Sequence, residues 1–163
     1  MKELGACLIA LAGFWLGILH ARDLRAALRR CAAYARMLEL ISLELGRFRT
    51  PLPELFLSLS DCLEGDAASV CSFTASELAV GEPFRDVWKR ATEALRPEEK
   101  EILCPLAEVL GAYGAEEQAA RTEQAREEML VLWDSRRTAL RDRSRVCIGL
   151  CSAGGLLLAM MLL

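Results

Sequence analysis

Few residues in this chain could do covalent chemistry, and their spacing does not suit it. His20 is the only histidine in 163 residues and stands at the edge of an apolar segment, so a Ser–His or Cys–His pair finds no base in the middle of the chain. The doublets Glu98/Glu99, Glu116/Glu117 and Glu127/Glu128 are adjacent in sequence. On a helix such neighbours point roughly 100° apart, whereas a general acid and base must converge on one atom. No phosphate-binding GxxxxGK[ST] loop, no GxGxxG and no HExxH is present. Seven cysteines invite a metal reading that their spacing refuses. Cys7, Cys147 and Cys151 lie in apolar stretches, Cys31, Cys62, Cys71 and Cys104 are scattered singly, and no CxxC occurs. Zinc asks for converging Cys/His ligands, usually in close pairs. The four scattered cysteines read as reduced, buried and inert thiols. The expectation is a protein that is not an enzyme and uses no metal or cofactor.

The better signals lie at the two ends. Residues 146–163 (VCIGLCSAGGLLLAMMLL) hold no charge, no proline and no amide side chain. Eighteen residues make about 27 Å of helix, close to the roughly 30 Å hydrocarbon layer of a membrane. With no polar sequence after Leu163, such a span inserts tail-end first or as half of a hairpin. Residues 4–19 (LGACLIALAGFWLGIL) mirror this run at the start. Their flanks argue for an anchor over a cleaved signal peptide, because Glu3 offsets Lys2 and the end reads Leu-His-Ala-Arg. Trp15 stands where an interfacial aromatic belongs. Gly13-x-x-x-Gly17 and Gly149-x-x-x-Ala153 each put two small residues on one helix face, which suits close helix contact in lipid.

Both apolar runs are flanked by arginine on the side facing the middle of the chain. Nine of the twenty basic residues lie in 22–30 and 136–145, against only Asp23 and Asp142 there. Such flanks stay in the cytoplasm and can touch anionic headgroups. The derived organisation is an N-terminal membrane helix over 1–20, a cytoplasmic helical body over 21–145, and a C-terminal membrane helix over 146–163. A formal net charge of −3 argues against nucleic acid as a partner.

The elements that fill the body read as all-α, a single bundle of about six helices. In the first, Tyr34, Leu38, Ile41, Leu45 and Phe48 recur at spacings of three and four. It runs on from the apolar start without a break and stops at Thr50-Pro51-Leu52-Pro53, where two prolines bar a continuous helix. Leu52, Leu55, Phe56, Leu59 and Leu63 give the second its stripe. Glu64-Gly65-Asp66 predicts a turn, and Thr74-Ala75-Ser76-Glu77 a capping box opening a short helix that Gly81 ends. Pro83 starts a helix with Phe84, Val87, Trp88, Ala91 and Leu95 on one face. Arg96-Pro97-Glu98-Glu99 starts the next, which Pro105 kinks or splits and Gly114 ends. Residues 115–145 form the last body helix, charged and solvated, with apolar residues at Met129, Leu130, Trp133 and Leu140. It can continue into the apolar tail as one rod. Exposed loops and helices carry partner contacts, so the candidates for a partner surface are Arg47, Arg49 and Glu54 around the proline turn, and Glu116, Glu117, Gln118, Glu123 and Glu127 on the last helix.

The ordered pattern resembles stage III sporulation protein AB of endospore-forming bacteria over essentially the whole chain. It is carried by the short apolar start with its basic flank, Thr50-Pro51-Leu52-Pro53-Glu54, Pro83-Phe84 with Trp88, Ile102-Leu103, the glycine break before Glu117-Gln118, and the apolar tail. The chain departs from the family in having Gly114-Ala115-Glu116-Glu117-Gln118 where an aspartate-containing segment is usual. The resemblance implies a body similar to a cytoplasmic domain of the inner-membrane platform protein of type II secretion and type IV pilus systems. It implies a place in the outer forespore membrane, facing the mother-cell cytoplasm, within the channel complex between mother cell and forespore. The implied partners are the secretion-ATPase-like stage III protein AA, other membrane components of the complex, membrane lipid, and a second copy of the chain. Two other readings remain open: a generic membrane-anchored adaptor that recruits cytoplasmic partners, and an exported protein that has lost its first 21 residues.

Overall fold

A computed structural model describes the backbone of residues 2–47, 51–112 and 114–162, and the side chains of residues 15, 22–46, 51–112 and 114–142. Among these residues all regular structure is helical: α1 (Lys2–Arg47), α2 (Leu52–Cys62), α3 (Gly65–Ala79), α4 (Phe84–Glu93), α5 (Pro97–Leu103), α6 (Leu106–Val109) and α7 (Ala115–Leu162). The chain divides into two compact units, Arg29–Trp133 on the one hand and Met1–Leu28 with Asp134–Leu163 on the other.

In the unit made by the chain ends, the backbone is helical from Lys2 and up to Leu162. Both expected continuations are therefore present, α1 out of the apolar start and α7 into the apolar tail. Among the described residues no helix is long and apolar enough to cross a membrane. The side chains of 4–19 (Trp15 apart) and 146–163, on which that expectation rests, lie outside the described residues, as do the Gly13/Gly17 and Gly149/Ala153 pairs and His20. Trp15 is exposed.

The central unit is built around one apolar cluster fed by α1 to α7. The α1 face holds Tyr34, Leu38, Ile41 and Leu45 as its spacing demands, widened by Cys31 and Met37; Phe48 lies outside the described residues. Pro51 and Pro53 do start α2, with the Leu55 amide donating to the Pro51 carbonyl at 3.0 Å. Leu55, Phe56 and Leu59 are buried, and Leu52 and Leu63 half-buried. Phe56, Phe84 and Trp88 form an aromatic trio with ring centroids 5.5–5.7 Å apart, joining α2 to α4.

The third helix corrects the sequence reading. No capping box opens at Thr74, and α3 runs unbroken from Gly65 to Ala79. Thr74 is fully buried mid-helix and its hydroxyl donates back to the Val70 carbonyl at 2.7 Å, so that oxygen is not free to cap a helix start. No proline or glycine between 66 and 80 interrupts the helix. The expected stop at Gly81 is present. Gly81 has φ +94, its amide donates to Leu78, and the Glu82 amide reaches back to Glu77, the paired bonds of a Schellman end. The cysteines also need correction. Cys31 and Cys71 are buried, but Cys62 is exposed and Cys104 half-buried. Burial pushes the Cys71 thiol up to about 12, so it stays protonated at neutral pH.

Pro105 splits α5 from α6. The Ala107 amide bonds to Cys104 three residues back rather than to Leu103, which frees the buried Leu103 carbonyl. The indole N–H of Trp88 takes it at 2.8 Å. Trp88→Phe keeps most of the ring but leaves that carbonyl without a donor. The expected loss in urea unfolding of the full-length protein is about 1–3 kcal/mol, and an unchanged midpoint contradicts this assignment.

Glu99 is a buried acid. The sequence places it in the first turn of α5, where acids suit the helix dipole, and so it is, yet its side chain is buried. Arg30 of α1 lies 3.8 Å from its carboxylate and 3.7 Å from Asp66 of α3, and the Cys31 thiol donates to Glu99 at 3.9 Å. The Tyr34 hydroxyl sits nearby, buried without a hydrogen-bond partner among the described residues. Its pKa is raised well above the ordinary value, first by burial, then by Asp66 and Glu99. Glu99→Leu takes away the buried carboxylate beside Arg30, leaving it the largely exposed Asp66, and is expected to cost about 3 kcal/mol. Arg30→Met added to it should recover at least half of that loss, and urea unfolding of the three full-length variants measures both.

Candidate partner-binding groove

The first four turns of α7 border the candidate site. Gln118, Thr122, Ala125 and Met129, at spacings of four, three and four, point into the core. Gln118 accepts the Gly111 N–H at 3.3 Å, and Ser42 of α1 donates to the Ala119 carbonyl at 3.4 Å, which ties the start of α7 to its neighbours. Gly111 holds a left-handed φ of +84, and a Cβ there would meet Leu52 Cδ1 at 3.4 Å. This is the turn that sends the chain from α6 into α7, and glycine fits it without strain.

The sequence-derived partner residues do not form one surface. Arg47 and Arg49 have side chains outside the described residues. Glu54 is exposed in the first turn of α2. Glu116, Glu117 and Glu127 are exposed on α7, whereas Gln118 is buried in the turn just described. Glu123 is held by Arg126 at 2.6 and 2.9 Å, a bond that lowers the Glu123 carboxyl below its ordinary pKa and raises the guanidinium. Leu130, one of the few apolar residues of this helix, is exposed at 39%, because the inward stripe of α7 passes through Met129 instead.

Of these residues, Glu117 borders an open groove of about 230 Å³. Ile102 of α5, Pro105, Leu106 and Val109 of α6, and Ala125 of α7 supply its apolar lining. Its α7 edge is Glu117, Arg121, Gln124 and Glu128. Those four stand at i, i+4, i+7 and i+11, within about 30° of one line along the helix. Glu128 accepts a bond from Gln124 at 3.1 Å. Neither Glu117 nor Arg121 makes an ion pair among the described residues. Sequence reasoning missed Ile102, Pro105, Leu106, Val109, Arg121, Gln124 and Glu128. The i, i+4, i+7, i+11 spacing was available as a signal. The groove itself was not, because it exists only where α5 and α6 are offset beside α7.

The α6 wall is braced from α4. Glu108 lies 2.7 Å from Arg85 and 3.0 Å from Lys89, and the Lys89 hydrogen bond, with Arg85, holds its carboxyl below the usual carboxylate range. A depressed folded-state pKa gives stability that is complete above the unfolded value and lost as pH falls through the folded one. Glu108→Gln should therefore lower the melting temperature slightly at neutral pH and flatten its decline below about pH 4. An acid limb identical to that of the parent contradicts the brace. The groove contains nothing fitted to covalent chemistry, and among the described residues no group of three or more His, Cys, Asp and Glu could hold a metal ion. What it can do is take apolar side chains against a charged rim.

A family model described as stage III sporulation protein AB matches residues 2–163. No curated protein and no solved structure matches the chain. The chain belongs to the stage III sporulation protein AB family, and membership implies a role in stage III of sporulation.

Proposed function

We propose that this member of the stage III sporulation protein AB family is a non-enzymatic platform and assembly component of the sporulation channel between mother cell and forespore. The single observation that carries this reading is the family match across residues 2–163. In the proposal the apolar segments 4–19 and 146–163 anchor both ends in the outer forespore membrane. The arginines that flank them keep residues 21–145 in the mother-cell cytoplasm. The body contributes no chemistry. It holds a secretion-type ATPase, the stage III protein AA, against the membrane components of the complex, so that nucleotide-driven movement is passed to them. The exposed glutamates of α7 and the groove beside them support this reading, as a charged, partly apolar surface on an otherwise packed helical body.

The test is a pull-down of the ATPase by the full-length protein in detergent, with and without nucleotide. Saturable binding is expected, weakened by charge reversal at Glu116, Glu117 and Glu127. Absence of binding by a folded protein contradicts the coupling role and leaves a generic membrane-anchored adaptor.

A further inference from the structure

Two features of the central unit carry polar groups placed with some precision. One is the Arg30–Glu99 cluster, whose ion pairs tie α1 to α3 and α5. The other is the groove, whose walls are complete and whose rim charges are not. The rim is specific in a way that a general acidic surface is not. Glu117 and Glu128 stand eleven residues apart on one line of α7, about 16 Å along the axis, with Arg121 and Gln124 between them. The surrounding stretch 115–128 carries five glutamates against two arginines, and one of those arginines, Arg126, is already held by Glu123. Ile102 and Val109 are half-buried on the opposing wall, apolar surface that a partner side chain could cover.

We propose that this groove seats one amphipathic helix of a protein partner, lying along α7 with its apolar stripe on Ile102, Pro105 and Val109. Charge complementarity sets the rest of the pattern. The partner helix carries lysine or arginine opposite Glu117 and Glu128, about three turns apart, and an acidic or amide residue opposite Arg121. A bilayer of anionic lipid is the wrong occupant for this rim, since its headgroups would meet the two carboxylates. The inference deepens the proposed function by giving the chemistry of the partner's docking element, and it rests on that reading only in supposing that the body has a protein partner.

The probe is a synthetic helical peptide of about 18 residues with leucines at i, i+4, i+7 and i+11 and two flanking lysines eleven positions apart. Binding to the full-length protein in zwitterionic nanodiscs is read by fluorescence anisotropy, beside the same peptide with glutamate for lysine and beside empty discs. The expected result is saturable binding of the lysine peptide with a dissociation constant of roughly ten micromolar, weakened by salt. E117K with E128K should weaken it about tenfold and turn the preference toward the glutamate peptide. L57E, at an exposed position of α2, should change nothing. Circular dichroism of each variant reports whether the fold is kept, and both rim residues are exposed.

Equal binding of the two peptides, indifference to E117K/E128K, or binding that empty discs reproduce each overturns the proposal. The last of these makes lipid the peptide's target. Dimerisation of the chain that excludes the peptide overturns it in favour of a second copy as occupant. Lysine-peptide binding without ATPase capture leaves the groove standing and removes the coupling role. ATPase capture that the rim variants do not alter, without peptide binding, does the reverse.

Discussion

Pro105 is the constraint from which both the packing and the candidate site follow. Proline has no amide hydrogen and cannot continue the hydrogen-bond ladder of α5, so the chain steps aside and restarts as the single turn of α6. The step frees the Leu103 carbonyl, and Trp88 is the donor that satisfies it. The indole is in turn fixed between Phe56 and Phe84, so one proline sets the position of α4 and, through it, α2. The same step leaves Ile102 and Val109 partly uncovered beside α7. A continuous helix here would have no Leu103 carbonyl for Trp88, and its wall beside α7 would lack that step.

A second anchor works at the start of the central unit. Glu99 is buried with Arg30 as neighbour, and Arg30 also approaches Asp66. Three helices therefore meet at a charge cluster where α1 enters that unit. Burying such groups is costly unless they are mutually satisfied, and their distances allow little play in how α1 meets α3 and α5. Apolar packing over Tyr34, Leu38 and Ile41 supplies the bulk of the adhesion; the charges restrict its register.

Legibility of the sequence followed the physics of each signal. Most helix stops set by backbone chemistry were readable: Pro51 and Pro53, the Gly81 turn and the Pro105 break all act locally and are present, whereas the stop read at Gly114 comes earlier, with α6 ending at Val109 and Gly111 making the left-handed turn. So were apolar stripes at regular spacing, as in Tyr34 to Leu45. The capping-box motif at Thr74 misled because a threonine hydroxyl can equally bond back to the preceding turn, and only burial against the core decides between the two. Glu99 and Gln118 look like surface residues in sequence, yet Glu99 is buried beside Arg30, far from it in the chain, and Gln118 is buried in the turn at Gly111. The groove belongs to the same class. Its α7 edge has a readable spacing, but its apolar wall comes from the offset of α6, which no local pattern specifies. Of the partner residues read from sequence, Glu117 alone lines it.

In the proposed function the chain acts through the α7 groove as a docking platform in the sporulation machine. Its most direct test is photo-crosslinking in sporulating cells, with a photoreactive residue at position 121 in the groove and, separately, at position 57 on α2. The account predicts a protein adduct from position 121 that contains a secretion-type ATPase, cross-linked through a basic amphipathic helix, and none of that mass from position 57. Equal adducts from both positions, or lipid adducts alone from position 121, would contradict it.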